Sequence, residues 1–268
     1  MEKEEKAMDL ILIIAAIVPA VFLMIRVYKA DRLEKEPIRL LLTLLVLGII
    51  STSLASLAEQ LGDAVLAFFL PEGTLPYDLL LYFGVVAFAE EGFKYLLLKN
   101  RTWKSPFFNC QFDGVVYAVF VSLGFALWEN IGYVLRYGMA TAIARAITAV
   151  PGHACFGVFM GTWYGLAKRY AEMGLVKESA RARRLAVLTP ALLHGCYDFI
   201  ATQQTEALSL VFVVFVICMF VAAIRVVKKQ SRKDNYIYTE PVYVPGEPVY
   251  VTEEPLYKPE EPVYKKNE

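Results

Sequence analysis

Runs of about 20 mostly apolar residues, the length a helix needs to cross a bilayer, recur seven times in this chain: 8–28, 38–57, 77–98, 113–135, 140–166, 185–202 and 208–227. That pattern leaves few folds open. Inside lipid every backbone N–H and C=O must be satisfied within the protein, so runs of this length cross as helices. The expected fold is therefore all-α, a multi-pass transmembrane helical bundle of about seven spans. Composition agrees, since 57% of residues are hydrophobic and mean hydropathy is +0.46, too apolar for an ordinary soluble domain. The first run lacks the basic leader of a signal peptide and reads as an uncleaved span. The second is expected to end near 57, with 64–70 forming a re-entrant or interfacial stretch before Pro71.

Lysine and arginine give a sidedness. They collect between spans one and two (Arg26 to Arg39), three and four (Lys99 to Lys104), five and six (Lys168 to Arg184), and after span seven (Arg225 to Lys233). The alternate connections are nearly bare, Arg136 standing alone after span four. Lys3, Lys6 and Arg145 are the exceptions. The positive-inside bias then places the N-terminus outside a cell membrane and the C-terminus in the cytoplasm. Formal net charge is +0, so no basic field suggests a nucleic-acid partner. Cys110, Cys155, Cys196 and Cys218 are too scattered for a disulfide framework or a zinc knuckle. Beyond a membrane domain at 1–228, the segment 229–268 carries Glu-Pro-(Val/Leu)-Tyr at Glu240, Glu247, Glu254 and Glu261. Proline in every repeat forbids a coiled coil. A disordered tail is expected, its tyrosines available to a cytoplasmic partner or the membrane surface.

Both histidines of the chain, His153 and His194, lie inside apolar runs, as do Glu90, Glu91, Glu129 and Asp198. Each ionisable group at the centre of a span costs about 2.5–3.5 kcal/mol. Such groups must therefore face one another, share protons or line a wet cavity. Glu90 and Lys94 share a helical face, with Glu91 about 100° around. Lys94 is expected to neutralise one glutamate and snorkel toward the interface. Glu129 precedes Asn130, which either orients a carboxylate or joins helices. Pro151-Gly152-His153 reads as a break that frees a carbonyl and admits a close neighbour. His194 and Asp198, at i and i+4, face the same way, so the acid can fix the imidazole tautomer. Spans three to six carry all of these groups, and one, two and seven read as scaffold. Counted along the helices at ~1.5 Å per residue, Glu90 lies about 12 Å from the basic end and Glu129 about 24 Å, a wide spread for one site.

The ordered set Glu90-Glu91-x-x-Lys94, Phe125-x-x-x-Glu129, Gly152-His153 and His194-x-x-x-Asp198 resembles the motifs of the PrsW family of membrane proteases. The loop from Asp31 through Glu34 to Pro37 and the pair Asp113-Gly114 are similar to that family too. The family is in turn distantly similar to the CAAX prenyl proteases and to the multi-spanning scaffold subunit of gamma-secretase. The resemblance implies an intramembrane peptidase acting on a single-pass membrane protein such as an anti-sigma factor. It makes Glu90, Glu91 and His194 catalytic, with Glu129, His153 and Asp198 completing the site.

Chemistry leaves several mechanisms open. A buried glutamate can act as general base on water, with no metal required. Two histidines and a carboxylate could supply three zinc ligands, a reading that ranks below the metal-free one because no His-Glu-x-x-His is present. A proton-coupled transporter or channel, and a non-catalytic scaffold, are the alternatives to hydrolysis. One compact ionisable cluster and the lack of an inverted repeat argue against transport.

Overall fold

A computed structural model describes residues 2–203 and 205–237, with the backbone alone for 2–6. The named elements among them are helices: α1 (Glu2–Ala30), α2 (Ile38–Phe69), α3 (Leu75–Leu79), a π-helical segment (Leu80–Val86), α4 (Ala87–Thr102), α5 (Asp113–Tyr137), α6 (Met139–Ile147), α7 (Ala149–Glu172), α8 (Val176–Thr202) and α9 (Glu206–Arg232). Six helical stretches are long and apolar enough to cross a membrane by themselves. The remaining expected span is the composite rod from α3 through the π-helical turns to α4. The all-α, multi-pass reading stands.

α5 is the axis of the bundle. Every residue from Asp113 to Ala126 is buried, with α1, α2 and α7 packed around it. α8 lies against α7 and α4, and α9 against α7 and α8. Close approach at the axis is set by glycine. A methyl group on Gly124 would run into the Leu45 carbonyl of α2, and one on Gly161 into Gly114 of α5. Without a hydrophobic drive between helices in lipid, such backbone-to-backbone contact is what packs them. The outer faces of α1, α2 and α9 expose Ile14, Val18, Phe22, Leu42, Val46, Leu61, Val213 and Ile217, an apolar surface suited to hydrocarbon.

Three expectations change. α2 runs unbroken to Phe69, so 64–70 does not turn back as a re-entrant stretch; 58–69 contains no proline, and the lone Gly62 is not enough to stop the helix. The fifth run divides at Thr148 into α6 and α7. Pro151 then sits in the first turn of α7, where a missing N–H leaves no hydrogen bond unmade. The expected mid-helix break is absent, and a methyl on Gly152 would make only ordinary contact with Tyr197. Finally, α9 continues to Arg232, and the chain after it packs back, Ile237 being 3% exposed. Ile237 N–H donates to the Asn109 carbonyl at 2.6 Å. The Glu-Pro-Val-Tyr repeats lie outside the described residues.

Candidate active site

All six residues singled out in the sequence meet, held by α4, α5, α7 and α8. α4 presents Glu90, Glu91 and Lys94 on adjoining faces. Lys94 Nζ donates to Glu91 Oε1 at 2.7 Å and to Glu90 Oε2 at 3.0 Å, and lies 3.9 Å from the centre of the Phe125 ring. It is 0% exposed. Lys94 therefore does not snorkel; it is the internal counter-ion of both glutamates.

The histidines approach from α7 and α8. His153 Nδ1 lies 3.2 Å from Lys94 Nζ, and its Nε2 lies 3.0 Å from Glu129 Oε2. His194 Nδ1 lies 3.1 Å from Glu91 Oε1 and 3.8 Å from Glu90 Oε2, and its Nε2 lies 3.3 Å from Asp198 Oδ2. The two rings stand edge to face at 5.3 Å between centroids, and Phe156 stacks on His194. Each imidazole thus turns Nδ1 toward the charged trio of α4 and Nε2 toward a carboxylate of its own. Glu129 and Asp198 are the more open members, with side chains 21% and 24% exposed.

The depth spread seen in the sequence closes for a structural reason. α4 runs to Thr102, four residues past the expected end, which adds about 6 Å to the depth of Glu90. A buried turn holding Phe108 and Phe112 then leads into α5.

Two charged residues join the site unannounced. Arg145 of α6 donates to Glu129 Oε2 at 2.8 Å and to Asn130 Oδ1 at 2.9 Å. It looked like a stray charge near a span end; what it neutralises is Glu129. Asn130 also donates to the Ala16 carbonyl at 3.0 Å, so it ties α5 to α1 rather than facing the histidines. Glu59 of α2 has a buried oxygen without a partner and lies within electrostatic range of Glu90, Glu129, Lys94 and His194. Ending span two near 57 concealed it. The available signal was Ser51, Ala55 and Glu59 at i, i+4 and i+8, an extension of the buried stripe of α2.

One ligand atom from each of Glu90, His153 and His194 lies within 4.8 Å of the others, all three residues being buried. Two imidazoles and a carboxylate are the donor set of an open zinc site. The outward carboxylates on each Nε2 are what a metal-binding histidine ordinarily has. The residues present therefore fit a metal, and Lys94 Nζ stands among the same donors as their present counter-cation.

The family match puts this polytopic bundle in the class of membrane-embedded peptidases. The chain belongs to one family of that class, the PrsW family of intramembrane metalloproteases, whose model matches residues 36–224. It is similar to Protease PrsW of Shouchella clausii, at 32% identity over 221 residues, covering 82% of this chain and 97% of that one. Protease PrsW of Bacillus subtilis is 31% identical over 202 residues, 73% and 84% of the two chains. That of Halalkalibacterium halodurans is 36% identical over 169 residues, 62% and 75%. No solved structure matches. The chain is a membrane protease.

Proposed function

We propose that this protease cleaves a single-pass membrane protein, an anti-sigma factor by the family resemblance, using Glu90, Glu91, His153 and His194, with Glu129 and Asp198 as positioning acids. Its N-terminus lies outside the cell membrane and its C-terminus in the cytoplasm. The observation that carries the reading is the paired arrangement of the imidazoles, each with Nε2 on its own carboxylate and Nδ1 turned to the same α4 charges. Purely structural histidines have no need of that arrangement twice within one centre.

Glu90, His153 and His194 are the residues that would hold a zinc-class ion. Such an ion, when bound, polarises a carbonyl and acidifies a water. Glu91 is the general base. Its Oε1 is fixed by Lys94 and His194, while Oε2 is buried and has no partner among the described residues, so it is the oxygen that would take a proton once water is admitted. Glu129 and Asp198 hold the imidazole tautomers, and Arg145 steadies Glu129. The site lies where hydrolysis needs a local supply of water, and a substrate helix must unwind to offer a peptide bond, since its backbone groups are otherwise paired.

Co-expression with tagged single-pass candidates tests the reading. Wild type releases a fragment; Glu90→Gln, Glu91→Gln and His194→Ala accumulate in the membrane to the same level and release none. Unchanged cleavage by all three variants contradicts it. Metal analysis of the purified chain separates the mechanisms. One zinc-class ion per chain, lost in His153→Ala, supports the donor set. Full hydrolysis by a preparation free of metal removes the ion from the reaction.

A further inference from the structure

A second group of acids lies at the other end of α5, about 24 Å along the helix from Glu129. Asp31 and Glu36 come from the α1–α2 connection and Asp113 opens α5. The three are 1%, 2% and 0% exposed, and one oxygen from each lies within 4.8 Å of the others. Each has oxygen capacity left over. Glu36 Oε2 accepts from the Tyr117 hydroxyl at 2.6 Å, and Oε1 is buried with no donor among the described residues, its carboxyl lying within hydrogen-bond reach of Asp113. Asp113 Oδ2 accepts from the N–H groups of Asn109 and Cys110 at 3.0 and 2.7 Å, leaving Oδ1. Both oxygens of Asp31 are buried, and among the described residues only the neighbouring Arg32 N–H approaches the carboxylate, too loosely for a well-formed hydrogen bond. Asp234, after α9, accepts from Phe112 N–H at 2.9 Å through Oδ1 and leaves a buried Oδ2 beside the group.

Lys35 and Arg169 direct their hydrogen bonds elsewhere. Lys35 Nζ donates to the main-chain carbonyls of Tyr28 and Asp31. Arg169 donates to Gln111 and Asn235. An ionised carboxylate with nothing to pair it is among the most costly groups to bury.

We propose that Asp31, Glu36 and Asp113 form a binding site for a divalent, oxygen-preferring cation of the Mg2+ or Ca2+ class, separate from the intramembrane centre. The donor chemistry is hard and all-oxygen, water completing the shell. The cation pins three stretches of chain together: the α1–α2 connection, the turn before α5, and the segment after α9 that pairs with that turn through Cys110 and Tyr236. The site is structural, and it fixes the axis helix from which Glu129 projects.

The test uses the full chain, purified in detergent, stripped with chelator and dialysed. MgCl2 or CaCl2 raises the unfolding midpoint saturably, by about 5 °C, over KCl of equal ionic strength. The rise persists in Glu90→Gln, whose intramembrane donor set is broken. It disappears in Asp31→Asn, which removes a charge without removing a hydrogen bond, and in Glu36→Gln. Should either variant fail to fold, Mn2+ titration of wild type followed by electron paramagnetic resonance decides, with one Mn2+ bound per chain, displaced by Mg2+ and retained in Glu90→Gln. No saturable rise and no bound Mn2+ in wild type overturns the proposal in favour of a shared proton between Glu36 and Asp113. A rise that survives Asp31→Asn, or vanishes in Glu90→Gln, overturns it as well.

Discussion

At the scale of single residues the site is a set of mutual neutralisations. Lys94 answers Glu90 and Glu91, Arg145 answers Glu129, and each histidine bridges two acids or an acid and the lysine. Removing one partner from such a pair strands a buried charge, at a cost of about 3–5 kcal/mol. Lys94→Met is therefore expected to lower the unfolding midpoint of the purified chain markedly, and Lys94→Met with Glu90→Gln and Glu91→Gln to recover much of the loss; an unchanged midpoint in Lys94→Met would show that the glutamates do not depend on it. Asp198→Asn keeps the shape of the side chain but loses the charge on His194 Nε2, and is expected to slow cleavage about 10–100-fold with little change in stability. Equal cleavage by Asp198→Asn and wild type would reduce Asp198 to a bystander. Of these relations, the sequence shows the ones set by helical repeat: Glu90 with Lys94, and His194 with Asp198. It does not show Arg145 against Glu129 or Glu59 beside the cluster, because those pairings depend on how separate helices cross.

At the scale of elements, apolar run length is enough to locate the spans, and misleads where a break is inferred from composition alone. Thr148, not Pro151, divides the fifth run, because α6 and α7 meet there and proline is harmless in a first turn. The third span hides a π-helical stretch, Leu80–Val86, one turn before Glu90; nothing in its residue types announces it, and such irregularities gather near functional sites. The glycines that let α5 meet its neighbours were present as Gly157, Gly161 and Gly165 at four-residue spacing, a small-residue seam of the kind that packs membrane helices. Gly161→Leu is expected to force α5 and α7 apart, costing at least about 1–3 kcal/mol and abolishing cleavage with the helices still inserted. Gly132→Ala, with open space around it, is expected to be neutral or stabilising by up to about 1 kcal/mol. Thermal unfolding of the two variants side by side checks the contrast, and similar midpoints would contradict the packing account.

For the whole molecule, the bundle surrounds its intramembrane polar centre with apolar outer faces, and the sidedness of its charges predicts a topology that can be measured. In a cysteine-free background, Glu206→Cys is expected to react with a membrane-impermeant maleimide in intact cells, while Lys177→Cys reacts only after lysis; the opposite pattern would invert the orientation. The central claim is that acids and imidazoles from four helices act as one hydrolytic centre. Its most direct test is cleavage of a single-pass substrate by the purified chain in proteoliposomes, comparing wild type with Glu91→Gln. The account predicts that Glu91→Gln loses at least about 10²-fold in rate while remaining inserted and folded, Glu90 still answering Lys94. Cleavage by Glu91→Gln at the wild-type rate would contradict it.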